Sequence, residues 1–237
     1  MSIVMLSPFQ VEKLEYFFKF YDSDGNGYLT MKDLTVLIKK IIEFTGWNEE
    51  SAVIKELFEV HVAFFETLQE KKVTKKDQIE RSDWMSLWQH ILPGSMGMQN
   101  FPVWLRLLPR FLFRVIDTKN DRLLDTEEIK QFYVTFLKAL PEAVDDLSVS
   151  AFNEMTDYGR YPLTLEGYEQ MFANFLLGRT KYGPGRHIFG CFKHSAEEKT
   201  GLISWPSKEE PIIEITPKIL LRTTDAIRSP MVSYRKE

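Results

Sequence analysis

The sequence has 237 residues, of which 44% are hydrophobic and 18 are Phe, enough for one large or two small domains around a well-packed core. The net charge is −4 and the 30 Lys and Arg are dispersed, a pattern that suits neither a nucleic-acid backbone nor an anionic bilayer. No run of about 18 apolar residues exists, the lone Cys191 excludes an internal disulfide, and the N-terminus lacks a secretory apolar stretch; no membrane insertion and a cytoplasmic location are expected.

From the N-terminus, Leu14, Phe17, Phe18 and Tyr21 fall at i, i+3, i+4, i+7, and Leu34, Leu37, Ile38 and Ile41 repeat that spacing, predicting two amphipathic helices. Between them lies Asp22-Ser-Asp-Gly-Asn-Gly-Tyr-Leu-Thr-Met-Lys-Asp33, which spaces oxygen ligands as the calcium loop of an EF-hand requires. A hard dication takes six to eight oxygens at about 2.3–2.6 Å, and side chains at alternate positions wrap around it. Asp22, Asp24 and Asn26 supply the first three ligands, Tyr28 its backbone carbonyl, and Asp33 the closing carboxylate. Gly27 takes the sharp turn, and Thr30 is placed to hold a bridging water. The closing residue is usually a Glu long enough to bind with both oxygens; the shorter Asp33 lowers the expected calcium preference and lets magnesium compete. The bland alternative is a solvated acidic turn.

Three further loops align on the inward aliphatic residue at the eighth position. The second, Lys72 to Asp83, has Ile79 there and Trp84, Leu87, Trp88 and Ile91 beyond it; its lysines repel a dication. The third, Asp117 to Glu128, offers Asp117, Asp121, the Leu123 carbonyl and Glu128 as a weaker second site. There Lys119 occupies a ligand position and Arg122 replaces the glycine. The fourth, Thr156 to Gly167, lacks the carboxylates. Pairing would bring Leu29 to Ile79 and Leu124 to Leu163 across short ribbons. Gly46, Pro93-Gly94, Pro141 and Gly178 punctuate the units, and Pro109 predicts a kink or restart between Trp104 and Ile116.

These readings give an all-α fold of two paired EF-hand lobes, residues 1–95 and 96–192, followed by a tail, 193–237. The tail carries four prolines, yet also the apolar stretch Pro211 to Leu221, so it reads either as a segment lying on the globule or as a detachable peptide. His61, His90, His187 and His194 show no close metal-ligand spacing.

The competent first loop, the lost second loop closed by Asp83-Trp84, and the Gly183-Pro-Gly-Arg-His-Ile-Phe-Gly190 segment resemble invertebrate sarcoplasmic calcium-binding proteins and the related calexcitins, over about residues 8–192. The resemblance implies lobes packed face to face and a cytosolic calcium and magnesium buffer with calcium as the bound ion. Relatives in the same superfamily suggest other roles. Juvenile hormone diol kinases would make the chain a phosphotransferase, but Gly178-Arg-Thr-Lys-Tyr-Gly183 lacks the Lys and Ser/Thr of a phosphate loop, and no enzyme is expected. Calcium-triggered photoproteins would make the Trp and Phe residues a chromophore pocket, although their helical spacing places them in a core first. A protein or small-molecule partner would therefore be met through the aromatic core or the tail, and a calcium sensor acting through that tail is the remaining alternative.

Overall fold

The computed structural model describes residues 6–74 and 77–191; the expectations for the tail, 193–237, fall outside the described residues. The fold is all-α, with helices arranged as four helix-loop-helix units. The first unit is α1 (Pro8–Tyr21), β1 (Tyr28–Leu29) and α2 (Met31–Thr45); the second is α3 (Ala52–Lys71), β2 (Ile79–Glu80) and α4 (Arg81–Ile91). The third pairs α5 (Val103–Ile116) with α6 (Thr126–Leu137), and the fourth α7 (Pro141–Thr156) with α8 (Leu165–Leu177).

Local chemistry sets the helix ends. Ser7 and Gln10 form a reciprocal capping box ahead of Pro8, which needs no amide donor at the first helical position. Gly46 closes α2 with a φ of 68°, a conformation that costs glycine nothing. α5 runs unbroken through Pro109, so no restart occurs there. The helix gives up one backbone bond at the proline while burying Leu105, Leu108, Leu112 and Phe113 on either side of it.

The expected ribbons form. β1 pairs antiparallel with β2 and sets Leu29 opposite Ile79; in the other half the Leu124 amide donates to the Leu163 carbonyl at 3.0 Å. All four of these side chains are buried, so each ribbon joins two loops through both backbone bonds and apolar contact.

The units share one core. The ring of Phe17 meets Phe64, Trp84 and Trp88 from the first half of the chain and Phe172, Phe175 and Phe189 from the second, with Phe189 stacked at 4.3 Å. Phe64 also stacks on Trp104 at 4.6 Å. Such contacts are worth about 0.5–1.5 kcal/mol each beyond their burial.

A polar clasp joins α1 to the end of α8. Ser7 Oγ donates to the Arg179 carbonyl, Gln10 Nε2 to that of Leu176, and Lys13 Nζ to those of Gly178 and Asn174 at 2.9 and 3.2 Å. These bonds satisfy carbonyls at and just beyond the end of α8; that of Asn174 is shared with the Gly178 amide, which donates to it at 2.8 Å. Lys13 is almost fully buried, and burial pushes its ammonium down to about 8, against a smaller rise from Cys191.

Beyond α8 the chain folds back as a short 3-10 helix, Pro184–His187. Gly185 lies so close to α8 that a Cβ would stand 2.3 Å from the Phe175 amide nitrogen, which is why no other residue fits. Arg186 and His187, both buried, reach the Glu154 carboxylate at 2.8 and 2.9 Å.

Candidate metal centre

The first loop gathers its acids. One carboxylate oxygen from each of Asp22, Asp24 and Asp33 lies within 4.8 Å of the others, and among the described residues no other group of three such ligands converges in this way. Asp22 arrives at the end of α1 and Asp33 from the first turn of α2, so two helices fix the ends of the cage. Asp33 is 3% exposed and Asp22 9%, while Asp24 stands in solvent.

The loop's backbone holds these oxygens in place. Asp22 Oδ1 accepts from the Asn26 amide at 3.1 Å and Oδ2 from the Gly27 amide at 3.0 Å. Asn26 Oδ1 accepts from the Tyr28 amide at 3.0 Å, and Asp33 Oδ2 takes the Thr30 amide and hydroxyl at 2.9 and 2.8 Å. Gly25 and Gly27 adopt φ of 72° and 86°, turning these amides toward the carboxylates. Each carboxylate keeps lone pairs beyond those bonds, and an all-oxygen set around a tight turn suits a hard dication. The residues present therefore fit calcium or magnesium. The side chain of Thr30, expected beside a bridging water, is instead directed to Asp33.

In the second loop the closing acid does a different job. Asp83 Oδ1 accepts from the Val73 and Thr74 amides at 2.8 and 2.9 Å, and Oδ2 from the Thr74 hydroxyl and Glu80 amide at 2.7 and 3.0 Å. Burial alone would raise this carboxyl, but the four donors hold it below the usual carboxylate range. The loop's own N–H and O–H groups thus stand where a cation would.

The third loop keeps the turn but not the cluster. Asp117 accepts from the Asp121 and Arg122 amides, both at 3.1 Å, and Asp121 Oδ1 from that of Leu123 at 2.9 Å. Glu128, 1% exposed, accepts from the Lys119 amide at 3.0 Å and the Asp125 amide at 3.1 Å. The Lys119 ammonium, expected only to repel a dication, is paired with the Asp125 carboxylate. Arg122 holds a φ of 68° where the first loop has Gly27. In the fourth loop Asp157 and Tyr158 are both left-handed, and Arg160 pairs with Asp157 at 2.8 Å.

Several working residues carried no readable signal in the sequence. Lys13, Gln10 and Glu154 act on partners far along the chain, which spacing cannot show. The Asp83 lock had one signal, an Asp at the closing position of a loop otherwise stripped of ligands. The glycines between 178 and 185 serve packing: the Gly185 amide donates to Asn174 Oδ1 at 2.9 Å, and a Cβ at Gly178 or Gly183 would strike Asn174.

No family model matches the chain. It is 21% identical over 173 residues to sarcoplasmic calcium-binding proteins I, III and IV of Branchiostoma lanceolatum, spanning 72% of this chain and 91% of that protein. Its fold superposes on a sarcoplasmic calcium-binding protein from amphioxus with a TM-score of 0.64 at 19% identity, covering 78% of this chain and 98% of that one. A calcium-loaded, apo coelenterazine-binding protein from Renilla muelleri gives a TM-score of 0.53 at 15% identity over 77% and 95% of the two chains. The chain thus has an EF-hand fold and is homologous to the sarcoplasmic calcium-binding proteins.

Proposed function

We propose that the first loop binds one calcium ion, in competition with magnesium, and that the protein serves as a calcium and magnesium buffer or metal-stabilised binding protein. The observation that carries this reading is the convergence of Asp22, Asp24 and Asp33, whose mutual repulsion a dication would relieve. Asn26 and the Tyr28 carbonyl complete the ligand set. The names of the relatives, calcium-binding proteins rather than enzymes, agree with it. The third loop's candidate ligands, Asp117, Asp121, the Leu123 carbonyl and Glu128, do not gather three acids as the first loop does, and the Lys119–Asp125 pair puts a cation beside them, so we assign that loop to structure. Buffering is favoured over sensing because the aromatic core is continuous across both halves of the described chain, leaving little for calcium to pry apart.

Calorimetric titration with calcium in excess magnesium tests this. One binding event per chain is expected, lost in Asp22→Ala, and calcium should raise the melting temperature of the parent but not of the variant. Unchanged stoichiometry in Asp22→Ala would overturn the assignment.

A further inference from the structure

A groove of about 580 Å3 opens beside the first loop, within the ~300–1,000 Å3 range of small-molecule sites. Its wall is apolar, built by Phe20 of α1, Phe136 at the end of α6, Leu147 of α7, and Phe189. Leu140 also lines it and is 61% exposed, so an occupant would cover an apolar side chain that the fold leaves in water.

The charges at this groove are unbalanced. Lys19 and Lys138 line it, against one acid, Asp22. Outside the lining itself, the Lys40 ammonium sits 5.1 Å from the centre of the Phe136 ring. Among the described residues none of the three lysines forms an ion pair. Burial, and then the charge of Lys138, pull the Lys40 ammonium below its ordinary value, which places the two cations within each other's field. Lys138 is also the left-handed C-cap of α6, at a φ of 53° where glycine would cost less.

We propose that this groove binds a single long-chain amphiphile with an anionic head, of the fatty-acid type, its chain against Phe20, Phe136 and Phe189 and its carboxylate drawn by the Lys19 and Lys138 that line it. The apolar wall and the surplus of positive charge are complementary to that chemistry alone; a neutral chain leaves the ammoniums unpaired, and a cationic one is repelled. The site is coupled to the metal loop through Asp22, which belongs to both. Calcium on Asp22 cancels the one negative charge facing the groove and so favours the anion. By linkage the anion must favour calcium by the same factor. This coupling rests on the proposed calcium site; binding of the amphiphile itself does not.

The test is titration of the full chain with laurate below its micelle concentration, in chelator and in calcium. Saturable one-to-one binding is expected, several-fold tighter with calcium present. Dodecyltrimethylammonium should bind at least tenfold more weakly. Lys138→Gly removes a charge while relieving the left-handed strain, so it should keep or raise the melting temperature yet weaken laurate about fivefold; Leu140→Asp, at an exposed position, should weaken it at least as much. Equal binding of the cationic amphiphile, or unaltered laurate binding by both variants, would overturn the proposal. So would co-sedimentation with anionic phospholipid vesicles in the absence of saturable laurate binding, which would indicate surface docking. A calcium titration without laurate separates the two readings: if that fails while laurate still binds in chelator and Lys138→Gly still weakens it, the metal assignment falls and the groove stands.

Discussion

The first and third loops make the same turn with nearly the same bonds. In each, the opening Asp accepts from the amides four and five residues on, and the closing acid is buried at the start of the second helix. They differ in what stands among the carboxylates. The first loop brings three acids together and its Lys32 pairs with none of them, whereas in the third Lys119 pairs with Asp125. The difference teaches that an EF-hand turn is held by its backbone-to-carboxylate bonds, and that the metal, or its substitute, answers only the charge those carboxylates leave over.

If that is right, the third loop should become a metal site when its built-in cation is removed. Lys119→Asp with Arg122→Gly restores a ligand and the turn glycine together, and calorimetry should then find a second calcium per chain. At micromolar affinity this is worth on the order of 8 kcal/mol, the largest change expected. A single event in the double variant would mean that the loop's geometry, rather than its lysine, excludes the ion.

Next in size is Asp83→Ala, which strips four donors of the second loop of their acceptor. Removing the shared acceptor of these half-buried donors should cost about 3 kcal/mol in denaturant unfolding, with or without calcium. The sign with pH follows from the lowered carboxyl. Its stabilising share is complete above the ordinary carboxylate value and is lost as the pH falls through the lower, folded value, so the gap between parent and variant should narrow in acid. A gap that stayed constant down to strongly acid pH would show that the charge of Asp83 is irrelevant.

A smaller effect concerns selectivity. Asp33→Glu should let the first loop close on calcium with two oxygens and raise calcium over magnesium preference about tenfold, or ~1.4 kcal/mol, in competition titrations. A lower ratio would show that the Thr30–Asp33 bonds have shaped the cage around the shorter side chain. Smallest of all, Arg122→Gly alone should stabilise the third loop by about 0.5–1 kcal/mol in thermal unfolding, since the arginine sits at a φ that glycine accepts freely.

Much of this was legible in the sequence because periodicity and loop spacing are local properties. Leu14, Phe17, Phe18 and Tyr21 are all buried as their spacing requires, and Leu29 and Leu124 meet Ile79 and Leu163 as the eighth loop position requires. What failed to show was the rotamer and the distant partner. Lys119 at a ligand position reads as repulsion, yet a flexible four-carbon stem lets it turn to Asp125 instead. Pro109 reads as a kink or a restart, but α5 continues through it with no restart. The groove beside Asp22 joins α1 to residues more than a hundred positions away and has no signature in either segment.

The clasp between α1 and the end of α8 bears on how the molecule is made. Its hydrogen bonds join residues 161 to 172 positions apart, and Phe17 packs on Phe172, Phe175 and Phe189 across similar distances. α1 therefore finds its seat only after α8 has been synthesised, and at about 5–20 residues per second it waits on the order of ten seconds or more. Until then the apolar face of α1 has only its own half of the chain to cover it. Closing so long a loop is slow, so docking of α1 against α8 is expected late in folding, as the step that joins the two halves.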